Sequence, residues 1–340
     1  MVARGLLLGV VAGVLMACSS APSKQELGKL PNVVTTAEPE WLPFAIRAGA
    51  RATEDPRELR LEALREIPSA GEVSRVSWAA DGRSLVLDNE LGVVVLDLST
   101  GKIVRVSAPE EEAHHGVSAG PHGEFVVYAT SARGGQIVSV RRDGTERAVV
   151  RAGSHPVLVG DGTRPLDALF CLSRGSSAEV LSMQPVRADA TTISFDGAAS
   201  LDPLPAVADY AISADRARTA WLTPEGAMNV ASLGAAGGVS APKALADHGV
   251  SAPAFHPDGR HVVVATTLDD PQPQLALVDA EGASARAEVA RERLTFAEGG
   301  STAPAFSRDG RYLAFVSGRG SRTSEKPSRL LHIARFRNEP

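Results

Sequence analysis

The stretch from Glu110 to Gly120, EEEAHHGVSAG, gathers residue types that serve two chemistries. Gly116-Val117-Ser118-Ala119-Gly120 has the G-x-S-x-G form in which a serine is raised as a nucleophile at a sharp strand-to-helix turn, and acids and histidines stand just upstream. His114, His115 and His122 also supply the imidazoles that hold metal ions. Each chemistry needs a particular element beneath it. The nucleophile elbow requires a helix after the serine, whereas Ser118 leads through Pro121-His122-Gly123 into the apolar run FVVYA, which reads as a strand. Adjacent histidines on a strand point to opposite faces, and the spacing offers no tetrahedral or octahedral set. The stretch therefore predicts loop histidines in water, with no catalytic residue, no metal and no cofactor.

A third chemistry sits at the start of the chain. Arg4 precedes an apolar run from Leu6 to Ala17, and Cys18 follows. A helix of that length rises about 18 Å, too short for a bilayer core of about 30 Å, so the run reads as the apolar region of a signal peptide. Leu15-Met16-Ala17-Cys18 resembles the bacterial lipobox. The resemblance implies that residues 1–17 are a lipoprotein signal peptide and that Cys18 carries the lipid. Two or three acyl chains hold a protein on a membrane where one does not. Ser19, where Asp would favour inner-membrane retention, points to the periplasmic side of the outer membrane. With Cys18 lipidated, Cys171 has no disulfide partner and reads as a small buried apolar residue.

The elements that must position any site come from the rest of the chain. Hydrophobic residues make up 44% of 340, enough for a substantial core. Net charge is −5 without a block of five basic residues, which argues against a nucleic-acid partner. Residues 18–54, with Pro22, Pro31, Pro39 and Pro43, read as a tether.

Beyond residue 55 one phrase returns. SAPAFHPDGRHVVVA from Ser251 and TAPAFSRDGRYLAFV from Thr302 nearly coincide, and weaker copies start at Ser74, His115, Ser154 and Ala208. The turn positions are Asp81, His122, Asp161, Asp215, Asp258 and Asp309, a spacing of about forty to fifty residues that marks a repeat architecture. Each unit reads as four short strands with a Gly-bearing hairpin turn, where glycine supplies positive φ. Gly82, Gly259 and Gly310 are expected at positive φ, and Arg216 at the same place predicts strain or a differently built turn. The sum is an all-β chain, a six-bladed β-propeller of four-stranded antiparallel blades. The last unit lacks a strand, and RELRLEALREI at 57–67, read as a strand against LLHIARF, would complete it and close the ring. A helix is the alternative for that segment.

The phrases SAPAFHPDGRHVVVATT and RLTFAEGGSTAPAFSRDGRYLAFVSGRGS resemble the WD-like repeats of TolB-type propellers. The likeness covers residues 55–337 and is degenerate in the second to fourth units, where His122 replaces Asp and Arg216 replaces Gly. It implies a monomeric six-bladed binding scaffold around a central channel, meeting a protein or peptide of the cell envelope without catalysis. No residues remain for the separate α/β domain of TolB, or for the hydrolase domain of the prolyl oligopeptidase type. The alternatives are an envelope hydrolase or lyase at the channel mouth, which calls for converging His, Asp, Glu or Arg, and a sensor of sugar or peptidoglycan fragments. A sensor calls for channel-facing aromatics, with Trp78, Tyr128, Tyr210 and Trp221 as candidates. Arg83, Arg260 and Arg311 follow the turns as solvated strand starts or as a basic ring. The loops Leu268 to Gln274, Gly318 to Pro327 and Phe195 to Val207 break the repeat and are candidate specificity elements.

Overall fold

The computed structural model describes residues 55–337 apart from 112–113, 121–122, 132–134, 161–166, 175–178, 189–192, 196, 198–200, 202–203, 205, 235–236, 282–290 and 320–327. All of these residues belong to one compact unit, Val33–Pro340. Cys18, the tether, His122, Asp161 and most of the loop from Gly318 to Pro327 lie outside the described residues. Among the described residues no helix is long and apolar enough to cross a membrane.

The architecture is all β. Four sheets have four antiparallel strands each. They are β5 (His114–Ala119), β6 (Phe125–Thr130), β7 (Gln136–Arg141) and β8 (Ala148–Ala152); β9 (Ser154–Val159), β10 (Asp167–Arg174), β11 (Glu179–Ala188) and β12 (Ile193–Phe195); β13 (Asp209–Ile212), β14 (Arg218–Leu222), β15 (Met228–Ser232) and β16 (Lys243–Ala246); and β17 (Val250–Phe255), β18 (His261–Thr266), β19 (Gln274–Asp279) and β20 (Arg291–Arg293). A fifth, seven-stranded sheet runs β21 (Ser301–Phe306), β22 (Tyr312–Ser317), β23 (Leu330–Phe336), β1 (Leu61–Trp78), β2 (Ser84–Asn89), β3 (Gly92–Asp97), β4 (Ile103–Arg105). β1 belongs to both halves of it. Leu61 to Glu72 pairs with β23, with an irregularity between Ile67 and Glu72, and Val73 to Trp78 pairs with β2. The segment at 57–67 is therefore a strand from Leu61 onward, and it continues without a break into the first repeat, which the repeat pattern alone does not predict.

The middle strands are near-continuous apolar runs such as HVVVAT and YLAFVS because both of their faces are covered by neighbouring sheets. Apolar clusters fill the spaces between sheets adjacent in sequence. Another joins β1–β3 to β22 and β23 through Leu85, Val94, Val316 and Ile333.

The hairpin turns follow the expected chemistry. Asp81 Oδ1 accepts from Arg83 N at 3.0 Å and Ser84 N at 2.9 Å, and Asp258 Oδ1 accepts from Arg260 N at 2.8 Å and His261 N at 3.0 Å. Such carboxylates cap their own turn and are spent there. Gly82, Gly259 and Gly310 have φ of 65°, 68° and 70°. Arg216 takes φ 59° in a turn closed in the same way, Arg216 N donating to Ser213 O at 2.8 Å. The arginine has therefore been forced into the left-handed region, at a cost of about 1–2 kcal/mol.

Candidate functional site

The innermost strand of each repeat, β1, β5, β9, β13, β17 and β21, contributes to the wall of a cavity of about 250 Å³. A second cavity of about 230 Å³ adjoins it toward the turns, and Ser77, Trp78, Ser118, Val157, Ile212, Phe255 and Phe306 border both. Together they form the channel.

Side chains bond the inner strands to one another. Trp78 Nε1 donates to Ala305 O at 3.0 Å, Ala119 N donates to Ser77 Oγ at 3.2 Å, and Leu158 N donates to Ser118 Oγ at 3.0 Å. Tyr210 donates its hydroxyl to His155 O at 2.6 Å, and burial drives its pKa well up. The G-x-S-x-G stretch is thereby explained as packing. Ser118 lies in β5 and its hydroxyl receives a neighbouring backbone N–H. Gly116, at φ 111°, lets β9 come so near that a Cβ there would stand 2.9 Å from His155 Cα.

The two ends of the channel differ. Six residues before each turn position the repeats carry Arg75, Gly116, His155, Asp209, Ala252 and Ala303, and all six line the first cavity. Gly116, His155, Ala252 and Ala303 have positive φ, at 111°, 49°, 47° and 50°. Four of the six inner strands are thus bent at the same level, three of them at a residue other than glycine, and such outliers concentrate at functional sites. Arg75 donates to His155 Nε2 at 3.2 Å and lies 3.9 Å from Asp209. Because a guanidinium only donates, Nε2 must accept, so the ring proton belongs on Nδ1, where Ser154 Oγ lies at 3.1 Å. Toward the turns the wall is made of Ala79, Ala80, Gly120, Gly160, Ala214 and Pro257 with one charged residue, Arg308.

The other candidates resolve as follows. Trp78 and Tyr210 line the channel, whereas Trp221 and Tyr128 are fully buried between sheets. Arg260 donates to Asp279 at 2.5 Å and Arg83 lies 3.9 Å from Asp81, so both arginines face acids of their own sheet. In the loop from Leu268 to Gln274, Asp270 pairs with Arg293 at 2.8 Å and Asp269 with Arg291 at 3.7 Å. Cys171 is buried, its thiol pushed up by burial. His114 and His115 open β5, and among the described residues no three His, Cys, Asp or Glu side chains gather as a metal site would need. Arg75, His155 and Asp209 escaped the motif reading. Their signal was the column itself, charged or titratable in three repeats and small in the other three.

No protein-family model matches the chain, and no curated protein matches it. Solved structures do. A gluconolactonase from Xanthomonas campestris superposes with a TM-score of 0.54 at 13% identity, covering 85% of this chain and 95% of its own. A TolB-type protein from Agrobacterium tumefaciens gives 0.51 at 14% identity, covering 78% and 91%. The fold is a β-propeller with four-stranded antiparallel blades, like that of TolB. TolB from Acinetobacter baumannii also matches, with a TM-score of 0.49 at 11% identity, covering 79% of this chain and 65% of its own. At these identities the shared property is the propeller itself.

Proposed function

We propose that the chain is a non-catalytic binding propeller of the cell envelope, tethered through lipidated Cys18 on the periplasmic side of the outer membrane, which receives a protein or peptide partner at its channel mouth. The observation that carries the reading is the mouth. Six inner strands present there a wall of small and apolar residues interrupted by Arg75, His155 and Asp209. The blade count belongs to the same proposal. Counting the seven-stranded sheet as two blades that share β1 gives six, with the ring sealed where β1 meets β23; the cluster of Leu85, Val94, Val316 and Ile333 supports that seam. A ring sealed within one chain needs no strand from a second copy, and the proposal is of a monomer.

Envelope fractionation tests the anchor. The wild-type protein is expected in the membrane fraction and Cys18→Ala in the soluble fraction; wild-type protein in the soluble fraction contradicts it.

A second reading, a hydrolase or lyase at the mouth, draws on the convergence of Arg75, His155 and Asp209 and on the gluconolactonase neighbour. Against it, His155 Nε2 is engaged by Arg75 and Ser118 by Leu158, so neither stands as a free base or nucleophile. Turnover of a lactone or ester panel that His155→Ala abolishes would favour the enzyme over the scaffold.

A further inference from the structure

The mouth contains more N–H donors than the partners of Arg75 take up within the protein. A guanidinium has five N–H donors in a flat fork. In Arg75 one meets His155 Nε2 at 3.2 Å. The contact to Asp209, at 3.9 Å, is an ionic neighbour beyond hydrogen-bond range, and the arginine side chain is 38% exposed. Gly116, the inner-strand residue at this level between Arg75 and His155, carries no side chain, so none from that strand stands between them.

The rest of the mouth narrows the ligand. Ala252, Pro253, Ala303 and Pro304 form an apolar wall to the same cavity. Pro156, Pro253 and Pro304 remove the backbone donor from three of the six inner strands. An extended peptide laid along those strands gains no full ladder of hydrogen bonds, so recognition falls to side chains and termini. A cavity of about 250 Å³ admits one or two residues. What suits an arginine fork beside an apolar wall is a carboxylate on a small apolar stem, because fork and carboxylate match in two parallel hydrogen bonds.

We propose that Arg75 is the recognition residue for a carboxylate carried by a peptide segment entering the channel mouth, and that Asp209 is the internal competitor which the incoming carboxylate displaces. The proposal rests on the reading of this mouth as a peptide-binding end. Asp209 then acts as a selectivity filter: an anion that meets the guanidinium through one oxygen gains little over the carboxylate already beside it, whereas a bidentate one does.

The test is affinity selection with the full chain, using a mixed-sequence tetrapeptide library made in two forms, free carboxylate and carboxamide. Wild-type protein is expected to retain free-acid members. Carboxamide members retained only when they contain Asp or Glu would identify the source as an acidic side chain and equally support the proposal. Arg75→Gln should weaken retention about tenfold or more, Arg75→Lys should lose part of it, and Asp209→Asn should tighten it several-fold. Loss and gain from adjacent substitutions cannot both come from misfolding. Neutral carboxamides retained as well as free acids, or Arg75→Gln binding unchanged, would overturn the carboxylate assignment and leave a peptide-binding mouth standing. Retention of no peptide from either library would overturn that mouth as well.

Discussion

The two ends of the inner strands answer to different demands. At the turn end the repeats agree: Asp81, Asp215, Asp258 and Asp309 all cap a hairpin, and even Arg216 is bent to the conformation that glycine takes elsewhere. At the mouth end, six residues earlier, the repeats disagree: Arg75, His155 and Asp209 are charged or titratable and differ from one another, whereas Gly116, Ala252 and Ala303 at the same position are small. Where the scaffold dictates a residue the repeats converge. Where it does not, the position is free to meet something else.

The first way to break this comparison is at the position where packing and mouth meet. Gly116→Ala would place a Cβ 2.9 Å from the backbone of His155 at φ 111°. The expected loss is about 3 kcal/mol in denaturant unfolding, because neither strand is a flexible side-chain end that can give way. A loss below about 1 kcal/mol would show that β5 and β9 do not approach so closely.

The seam between β1 and β23 provides a pH test. His332 is fully buried, donates from Nδ1 to Leu330 O at 3.1 Å and stacks on Phe315, and burial lowers its pKa from 6.5 to about 4. Between those values the unfolded chain takes up a proton that the fold refuses. Stability should therefore be full above about pH 6.5 and fall as pH drops toward 4, by about 3 kcal/mol at most. Melting curves across that window check it, and His332→Gln should flatten the profile.

Within the turns the comparison sharpens further. A Cβ added at Gly82 would have nothing within 4 Å, whereas one added at Gly310 would meet His256 Nε2 at 2.5 Å. Gly82→Ala should cost about 1 kcal/mol from backbone strain, and Gly310→Ala about 2 kcal/mol from strain and collision together. Arg216→Gly, the smallest effect and opposite in sign, should stabilise by about 0.5 kcal/mol as the left-handed strain is relieved and part of the gain is lost to unfolded-chain entropy.

These contrasts also explain what was legible in the sequence. The turn residues could be read because their reason is local: an Asp bonding N–H groups two and three residues on, and a Gly at positive φ. The strand at 57–67 was legible as the missing member of the last unit, but its run into β2's partner was not, since one continuous strand serving two sheets leaves no mark in a repeat alignment. The G-x-S-x-G stretch could be set aside as a nucleophile from its sequence, but its actual reason is tertiary, as Gly116 answers to β9 and Ser118 to Leu158, both about forty residues away. Arg75, His155 and Asp209 stand 80 and 54 residues apart and meet only because the inner strands converge. No spacing rule within one unit could unite them, although the aligned column held them all.

The central claim is that the mouth, and not the turn end, is the surface that meets the partner. A photo-crosslinking residue placed at position 252, which lines the same mouth and leaves Arg75 intact, or at position 83 of the full chain, in its native host, tests it directly. Position 252 should yield a discrete partner adduct on irradiation and position 83 none. Adducts from position 83 with none from position 252 would contradict the account.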